Sequence, residues 1–501
     1  MNLFLSSLAI IGEKYLFQDK YLVVPGYQAG NVLCKGLIQS GVNWVNLRPE
    51  TPTGLALRIA GEHLAIHRIS VLSGNLSLII VEELLQKLQE EGNLRYFAGQ
   101  NITQGLAAAL SSAISELRMC GISSDALLEE HFICLGKGKD MKLLLQEYED
   151  YLLEHSYLDQ PGLLSLALNL VPAYQAEDAG DGGDAGEGGD AEDDQPIYLV
   201  PSFYQWKPLE NKLIRKLARD RLLFLPVETI AMKEELPVNT DVELLSWLHM
   251  PELAPSPVGD DSVSFFHAYG ITNELRHVLR LVQEKKIPLD QVSVACTKDE
   301  YIPALYSLSR MMGFGLTVFE GIPVALTGPG KVLQEINNWI SEDFSVSALI
   351  DLFTAGDVVL KSEQSEEIPS IAAARLLKTS GIGWSRERYL LLVKQARHHQ
   401  ESENADRLSS LIQSLFKRIP LENEEGKVYF RDFCSGLAEI LQILSNVKDE
   451  LDKAALSTIT SCLEQIAAFS KLELGIEEAV EKTADMLESL RVGQSGPKPG
   501  D

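Results

Sequence analysis

The sequence predicts an α/β protein with two doubly wound parallel-sheet domains that carry large all-helical insertions. Three observations predict it. Short uninterrupted apolar runs such as Ile197-Tyr198-Leu199-Val200 have the length and two-sided burial of strands inside a parallel sheet. Each run is followed by a turn rich in glycine, proline or hydroxyls and then by a helical apolar period, the alternation that builds parallel sheets. Long stretches with helical periodicity and no strand pattern separate these blocks, from Leu76 to Leu170 and from Lys331 to Val492.

Composition narrows the function classes. A chain of 501 residues has room for about three domains. Its net charge of −27 includes nine acids gathered between Glu177 and Asp194, which leaves −18 elsewhere. An acidic total disfavours a free-standing nucleic-acid binder, because counterion release needs clustered Lys and Arg, although a local basic groove is compatible with it. The six cysteines form no C-x-x-C pair, so neither a zinc site nor a disulfide framework is expected, and a reducing cytoplasmic setting is. Met1 to Gly12 lacks a basic flank and a small-residue cleavage site, and no run reaches the 18 or so apolar residues of a membrane span.

The first element is a strand at Tyr21 to Pro25, followed by Gly26-Tyr-Gln-Ala-Gly30-Asn31 and a helix through Val32, Leu33, Leu37 and Ile38. Strand, glycine turn and helix is the layout that holds phosphate on helix-terminal N–H groups. A working phosphate loop reads G-x-x-x-x-G-K-[ST]. Gly26 and Gly30 stand one residue too close, and Asn31-Val32 takes the place of Lys-Ser/Thr, so a turn kept for packing is the better reading. A second strand is expected at Trp44 to Leu47, with a helix from Gly54. Thr51 and Thr53 at that turn can cap the helix or contact a DNA phosphate, and the cap is favoured. His63 and His67 have the spacing of a metal pair but no third ligand, and read as surface residues.

The helical block that follows has stops at Gly92-Asn93, Gly121 to Ser124 and Gly136-Lys-Gly-Lys139. Lys137 and Lys139 there read as part of a solvated turn between helices. Residues 176–195 hold almost no apolar side chains and read as a flexible acidic tether. The strand from Ile197 then ends in Pro201-Ser202. An ATPase needs two carboxylates at that point, one for Mg²⁺ and one for the attacking water, and neither residue supplies one. Leu222 to Leu225 is the next strand, and the polar, proline-punctuated run from Glu234 to Pro257 reads as a domain boundary. Strands at 263–268, 292–295 and 316–319, alternating with helices at 273–284 and 300–312, predict the second parallel domain. The remainder is helical, with amphipathic runs at 331–341, 384–397, 406–417, 431–445 and 455–491. Glu425-Gly-Lys427 fits the letters E-x-K of a nuclease centre, but no buried strand precedes it and no Asp is placed to share a metal.

Several segments together resemble the B subunit of the bacterial ATP-dependent helicase/deoxyribonuclease (AddB-like), and through it the superfamily 1 DNA helicases. They are VPGYQAGNVL (24–33), NLRPETPTGLAL (46–57), YEDYLLEHSYLDQPGLL (148–164), IYLVPSFYQWKPLE (197–210), FFHAYGITNELRHVLR (265–280) and LRVGQSGPKPG (490–500). The resemblance implies two RecA-like, P-loop NTPase-type domains. The first would span 1–250 with a helical insertion at about 58–172 and the acidic linker at 176–195. The second would start at 251–343, with a helical insertion domain at 344–501, the chain ending before the PD-(D/E)XK nuclease domain of that family. It also implies a part in double-strand break repair and recombination, an AddA-like helicase/nuclease subunit as heterodimer partner, and DNA ends or single-stranded DNA as ligand. ATP and Mg²⁺ are the family's cofactors, but none is expected in this chain. Pro201-Ser202 stands for the helicase Asp-Glu, Asn31-Val32 for Lys-Thr, and Cys296-Thr297-Lys298 follows the strand where working helicases place a phosphate-contacting Arg. The expectation is a non-catalytic scaffold and DNA-end binder, with Thr51, Thr53, Thr297 and Lys298 as candidate DNA contacts. The alternatives are an active helicase or exonuclease subunit and a truncated product without an independent task.

Overall fold

Four parallel strands organise the first half of the chain: β1 (Lys20–Val23), β2 (Leu47–Glu50), β5 (Ile197–Pro201) and β6 (Leu222–Leu225), in the spatial order β2-β1-β5-β6. The computed structural model describes residues 3–72, 74–178, 195–202, 204–226, 239–247, 251–296, 298, 300–319, 321–361, 367–392 and 402–493. It divides into two units, Met1–His267 and Ala268–Asp501. Lys20 is in register with Leu47 on one side and Ile197 on the other, so β1 is central. Its Tyr21 and Val23 face one layer while Leu22 and Val24 face the other, as the two-residue period of a strand requires.

The helices fill both layers. Helices α1 (Leu3–Lys14) and α2 (Tyr27–Gln39) carry Leu8, Cys34 and Leu37 onto Leu22, Leu47 and Leu199. Helices α3 (Pro52–His67), α7 (Gln160–Asp178) and α8 (Pro208–Ala218) bring Leu55, Leu163 and Leu213 onto Tyr21, Tyr198 and Val200. The first unit is thus a mixed α/β body built on a parallel sheet covered on both faces. The expected second strand at Trp44 to Leu47 is displaced by three residues. The apolar letters of Trp44 and Val45 precede the ladder, and the ladder itself is the more polar Leu47-Arg-Pro-Glu50. Pro49 is tolerated because β2 is an edge strand, one side having no ladder partner among the described residues.

Helices α4 (Gly74–Glu90), α5 (Gln104–Met119) and α6 (Leu135–Glu154) are inserted between β3 (Ser70–Val71) and β4 (Tyr157–Leu158), which pair in parallel. Since α3 and α7 lie on the sheet, the inserted block is narrower than helical periodicity alone implies. Arg118 ties it together, reaching Asp159 at 2.8 Å and Glu149 at 2.7 Å. The Gly136-Lys-Gly-Lys139 segment is not a turn between helices but the first turn of α6. Gly138 is required there, because a Cβ would lie 2.8 Å from the Glu129 carbonyl oxygen. Buried Asp140 secures this helix start by accepting the N–H groups of Arg95, Tyr96 and Phe97. Most of the acidic run at 176–195 lies outside the described residues.

The second unit corrects the expectation of a second parallel sheet. Helices α9 (Ile271–Glu284) and α10 (Tyr301–Met312) form as expected and pack through Leu275, Leu279, Leu305 and Leu308. The segments at 263–268, 292–295 and 316–319 form no ladder among the described residues. Apolar, β-branched composition licenses a strand only where a neighbour takes up its backbone groups, and these residues are largely exposed, Phe265 at 93%. The rest of the unit is helical: α11 (Gly328–Ser341), α12 (Val346–Thr354), α13 (Ser370–Thr379), α14 (Ser402–Arg418), α15 (Phe430–Leu444), α16 (Glu450–Phe469) and α17 (Ile476–Ser489). Two-residue antiparallel ladders, β7 (Ile322–Pro323) with β10 (Arg491–Val492) and β8 (Val428–Tyr429) with β9 (Glu473–Leu474), pin its connections. The amphipathic run at 455–491 is therefore two helices with a strand between them, and part of the run at 384–397 lies outside the described residues.

Candidate functional site

In open parallel sheets ligands bind beyond the carboxyl ends of the strands, where the strand order reverses. The reversal here falls between β1 and β5, so the turn after Val23 and the turn after Pro201 mark the place. Gly26 is the N-cap of α2, with φ −154° and no side chain to cap with. The helix starts at Tyr27, so four of the five residues from Gly26 to Gly30 are already helical and no loop is left to wrap a phosphate. Gly30 is buried against β2, where a Cβ would collide with Pro49. Asn31 is exposed on the second turn of α2. Pro201 closes β5 and is buried. Ser202 is exposed, its backbone N–H donating to the Leu225 carbonyl at 3.0 Å.

Glu50 occupies the space in front of this turn. Its side chain is 9% exposed and sits at the carboxyl end of β2. The Tyr27 hydroxyl and the Thr51 N–H (3.1 Å) both donate to Oε1, and Arg58 Nη2 donates to Oε2 at 2.9 Å. The Arg58 guanidinium also lies 4.6 Å from the centre of the Tyr21 ring. Burial, with Glu50 as acceptor, pushes the Tyr27 hydroxyl above its ordinary value. Burial opposes the charge of Arg58, but Tyr21 and Glu50 outweigh it and raise its pKa. Gly54 is needed beside them, because a Cβ there would collide with the Glu50 carboxylate and the Tyr27 hydroxyl. A carboxylate with three donors has little capacity left to act as a base or to hold a metal. It works as a joint that binds the end of β2, the start of α2 and the second turn of α3.

The other sequence-derived candidates are scattered around this joint or away from it. Thr51 is the N-cap of α3, its Oγ1 accepting from the Gly54 N–H at 3.0 Å. Thr53 accepts from Gln160 Nε2 at 3.0 Å, which links α3 to the start of α7. Lys298 is exposed in the second unit, and Thr297 lies outside the described residues. His63 and His67 stack at 4.0 Å between ring centres on α3, His63 half-buried and His67 exposed. Glu425-Gly-Lys427 is a turn closed by Asn423, whose Oδ1 accepts from the N–H groups of Glu425 and Lys427. Among the described residues no three His, Cys, Asp or Glu side chains are grouped to hold a metal.

Sequence reasoning passed over Tyr27, Glu50 and Arg58. Glu50 and Arg58 are eight residues apart on different elements, and Tyr27 is 23 residues from Glu50, so no local pattern joins them. No protein-family model matches the chain, and no curated protein matches it in sequence.

Proposed function

We propose that the chain is a non-catalytic, helicase-like subunit of an AddAB-type helicase/nuclease that acts in DNA double-strand break repair and recombination. In this reading the first unit is a RecA-like domain in which the nucleotide pocket has become a packing joint. The observation that carries it is the Tyr27–Glu50–Arg58 arrangement beside a helix that begins directly after Gly26. Pro201 and Ser202 agree with it, since a buried pyrrolidine and a lone hydroxyl cannot replace the two carboxylates of an ATP site. The subunit would serve as scaffold for an AddA-like motor and touch single-stranded DNA or DNA ends through backbone phosphates.

The reading is tested by assembly and by DNA binding. Co-expressed with an AddA-like subunit, the chain should co-purify as a heterodimer. Alone it should show neither ATP hydrolysis nor metal-dependent nuclease activity, whereas DNA-stimulated hydrolysis by the isolated chain would support an active enzyme instead. Binding to single-stranded DNA should be independent of sequence and steeply dependent on salt. Lys298→Ala should flatten the salt slope by about one unit if that side chain meets one phosphate. Absence of both DNA binding at low salt and heterodimer formation would sink the proposal.

A further inference from the structure

A cleft of about 380 Å³ opens in the first unit between inserted helices α4 and α5 and the starts of α7 and α8, apart from the Glu50 joint. It lies in the size range of about 300–1,000 Å³ usual for small-molecule sites. One wall is made by residues that follow parallel strands: Leu72 after β3, Asp159 to Pro161 after β4, and Lys207 in the turn that leads from β5 into α8. The facing wall is helical. Ser111, Ser112 and Ser115 come from α5, and Ser77 from α4. Tyr148 lies buried at the base, its hydroxyl coupled to Ser77 and Asp159.

The charges in this cleft balance. Asp159 is fully engaged, Oδ2 accepting from Arg118 Nε at 2.8 Å and Oδ1 from Arg118 Nη2 and the Gly162 N–H, both at 2.9 Å. Glu116 and Lys207 add one charge of each sign at the rim. Such a lining has no excess of cations to hold a phosphate. It offers hydroxyls that both donate and accept, together with apolar surface from Leu78 and Ala108 for the flat side of a ring. We infer that the cleft binds an uncharged, hydroxyl-rich ring compound, a sugar either free or as the ribose of a nucleoside. This inference does not depend on the helicase reading, because no residue of the DNA path or the Glu50 joint lines the cleft.

Saturation-transfer NMR on the full chain with D-ribose, D-glucose and adenosine tests it. At least one probe should bind saturably with a Kd of about 10 mM or below. Adenosine alone would identify a nucleoside, and ribose or glucose as well would identify a free sugar. Ser112→Trp, which fills the cleft from the exposed face of α5, should abolish the signal without changing the melting temperature. If that variant melts early, Ser115→Ala decides: loss of one hydroxyl and no bulk should weaken binding by about three- to tenfold. No saturable binding of any probe, binding unchanged in the variant that decides, or tighter binding of inorganic phosphate than of any neutral probe would overturn the assignment.

Discussion

Replacing Glu50 by Ala is the sharpest perturbation of the joint at the sheet's carboxyl edge. It strips the acceptor from Tyr27 and from the Thr51 N–H and leaves Arg58 without its carboxylate. Breaking a buried ion pair from one side costs about 3–5 kcal/mol. The Arg58 side chain is 35% exposed, so water can take over part of its solvation and the ion-pair loss falls below that range. Two lost hydrogen bonds add about 1 kcal/mol each, for a total of about 2–4 kcal/mol. In a unit of this size that lowers Tm by about 5–12 °C. Scanning calorimetry of the full chain measures the shift, and hydrogen-exchange mass spectrometry should place the lost protection in β2 and the starts of α2 and α3. The double variant Glu50→Ala/Arg58→Met should recover about 1 kcal/mol, because the stranded cation is gone. A Tm within about 2 °C of the parent, or a double variant no better than the single one, would refute the account of Glu50 as a structural joint.

Gly30→Ala should cost about 1–3 kcal/mol through the collision with Pro49, whereas Asn31→Lys on the exposed face of α2 should leave Tm nearly unchanged and confer no ATP hydrolysis. In the native protein a thiol reagent at pH 8 should label the exposed Cys120, Cys134 and Cys296 well before the buried Cys34, Cys434 and Cys462, as mass spectrometry of the peptides will show. Burial raises the Cys34 and Cys462 thiols from an ordinary 9.0 to about 11, so folding favours their neutral form. That stabilisation is complete below pH 9 and is lost as pH rises toward 11, and urea midpoints compared at pH 8 and pH 10.5 should fall in that direction, less so in Cys34→Ala.

The central strands were readable because both faces of β1 and β5 are buried, which leaves continuous apolar runs in the sequence. The edge strand β2 was misplaced because one side of it has no ladder partner among the described residues and its residues answer to solvent as much as to the core. The runs at 292–295 and 316–319 carry strand letters yet pair with nothing among the described residues, a reminder that composition reports burial potential and the ladder requires a neighbour. At the candidate site the glycines were visible but the reason for them was not. Gly30 and Gly54 answer to Pro49, Glu50 and Tyr27, side chains delivered by other elements. The helical content of the second unit was legible, but helices α12 and α13 were missed: their short apolar repeats, nine and ten residues long, give too few turns for a period to stand out.

The pairing of β1 with β5 has a consequence for biogenesis. Lys20 meets Ile197, so the central strand of the sheet waits for about 180 residues of later chain before its second neighbour exists. At about 5–20 residues per second of synthesis that is about 9–36 s during which the Leu22-Val23-Val24 edge is open on one side. Helices α4 to α6, whose contacts are largely among themselves and with β3 and β4, can fold within that interval. They would then form a finished body hanging from an unfinished sheet. A nascent chain released before Leu225 would expose an apolar parallel edge, which is where chaperone binding or aggregation during expression should concentrate.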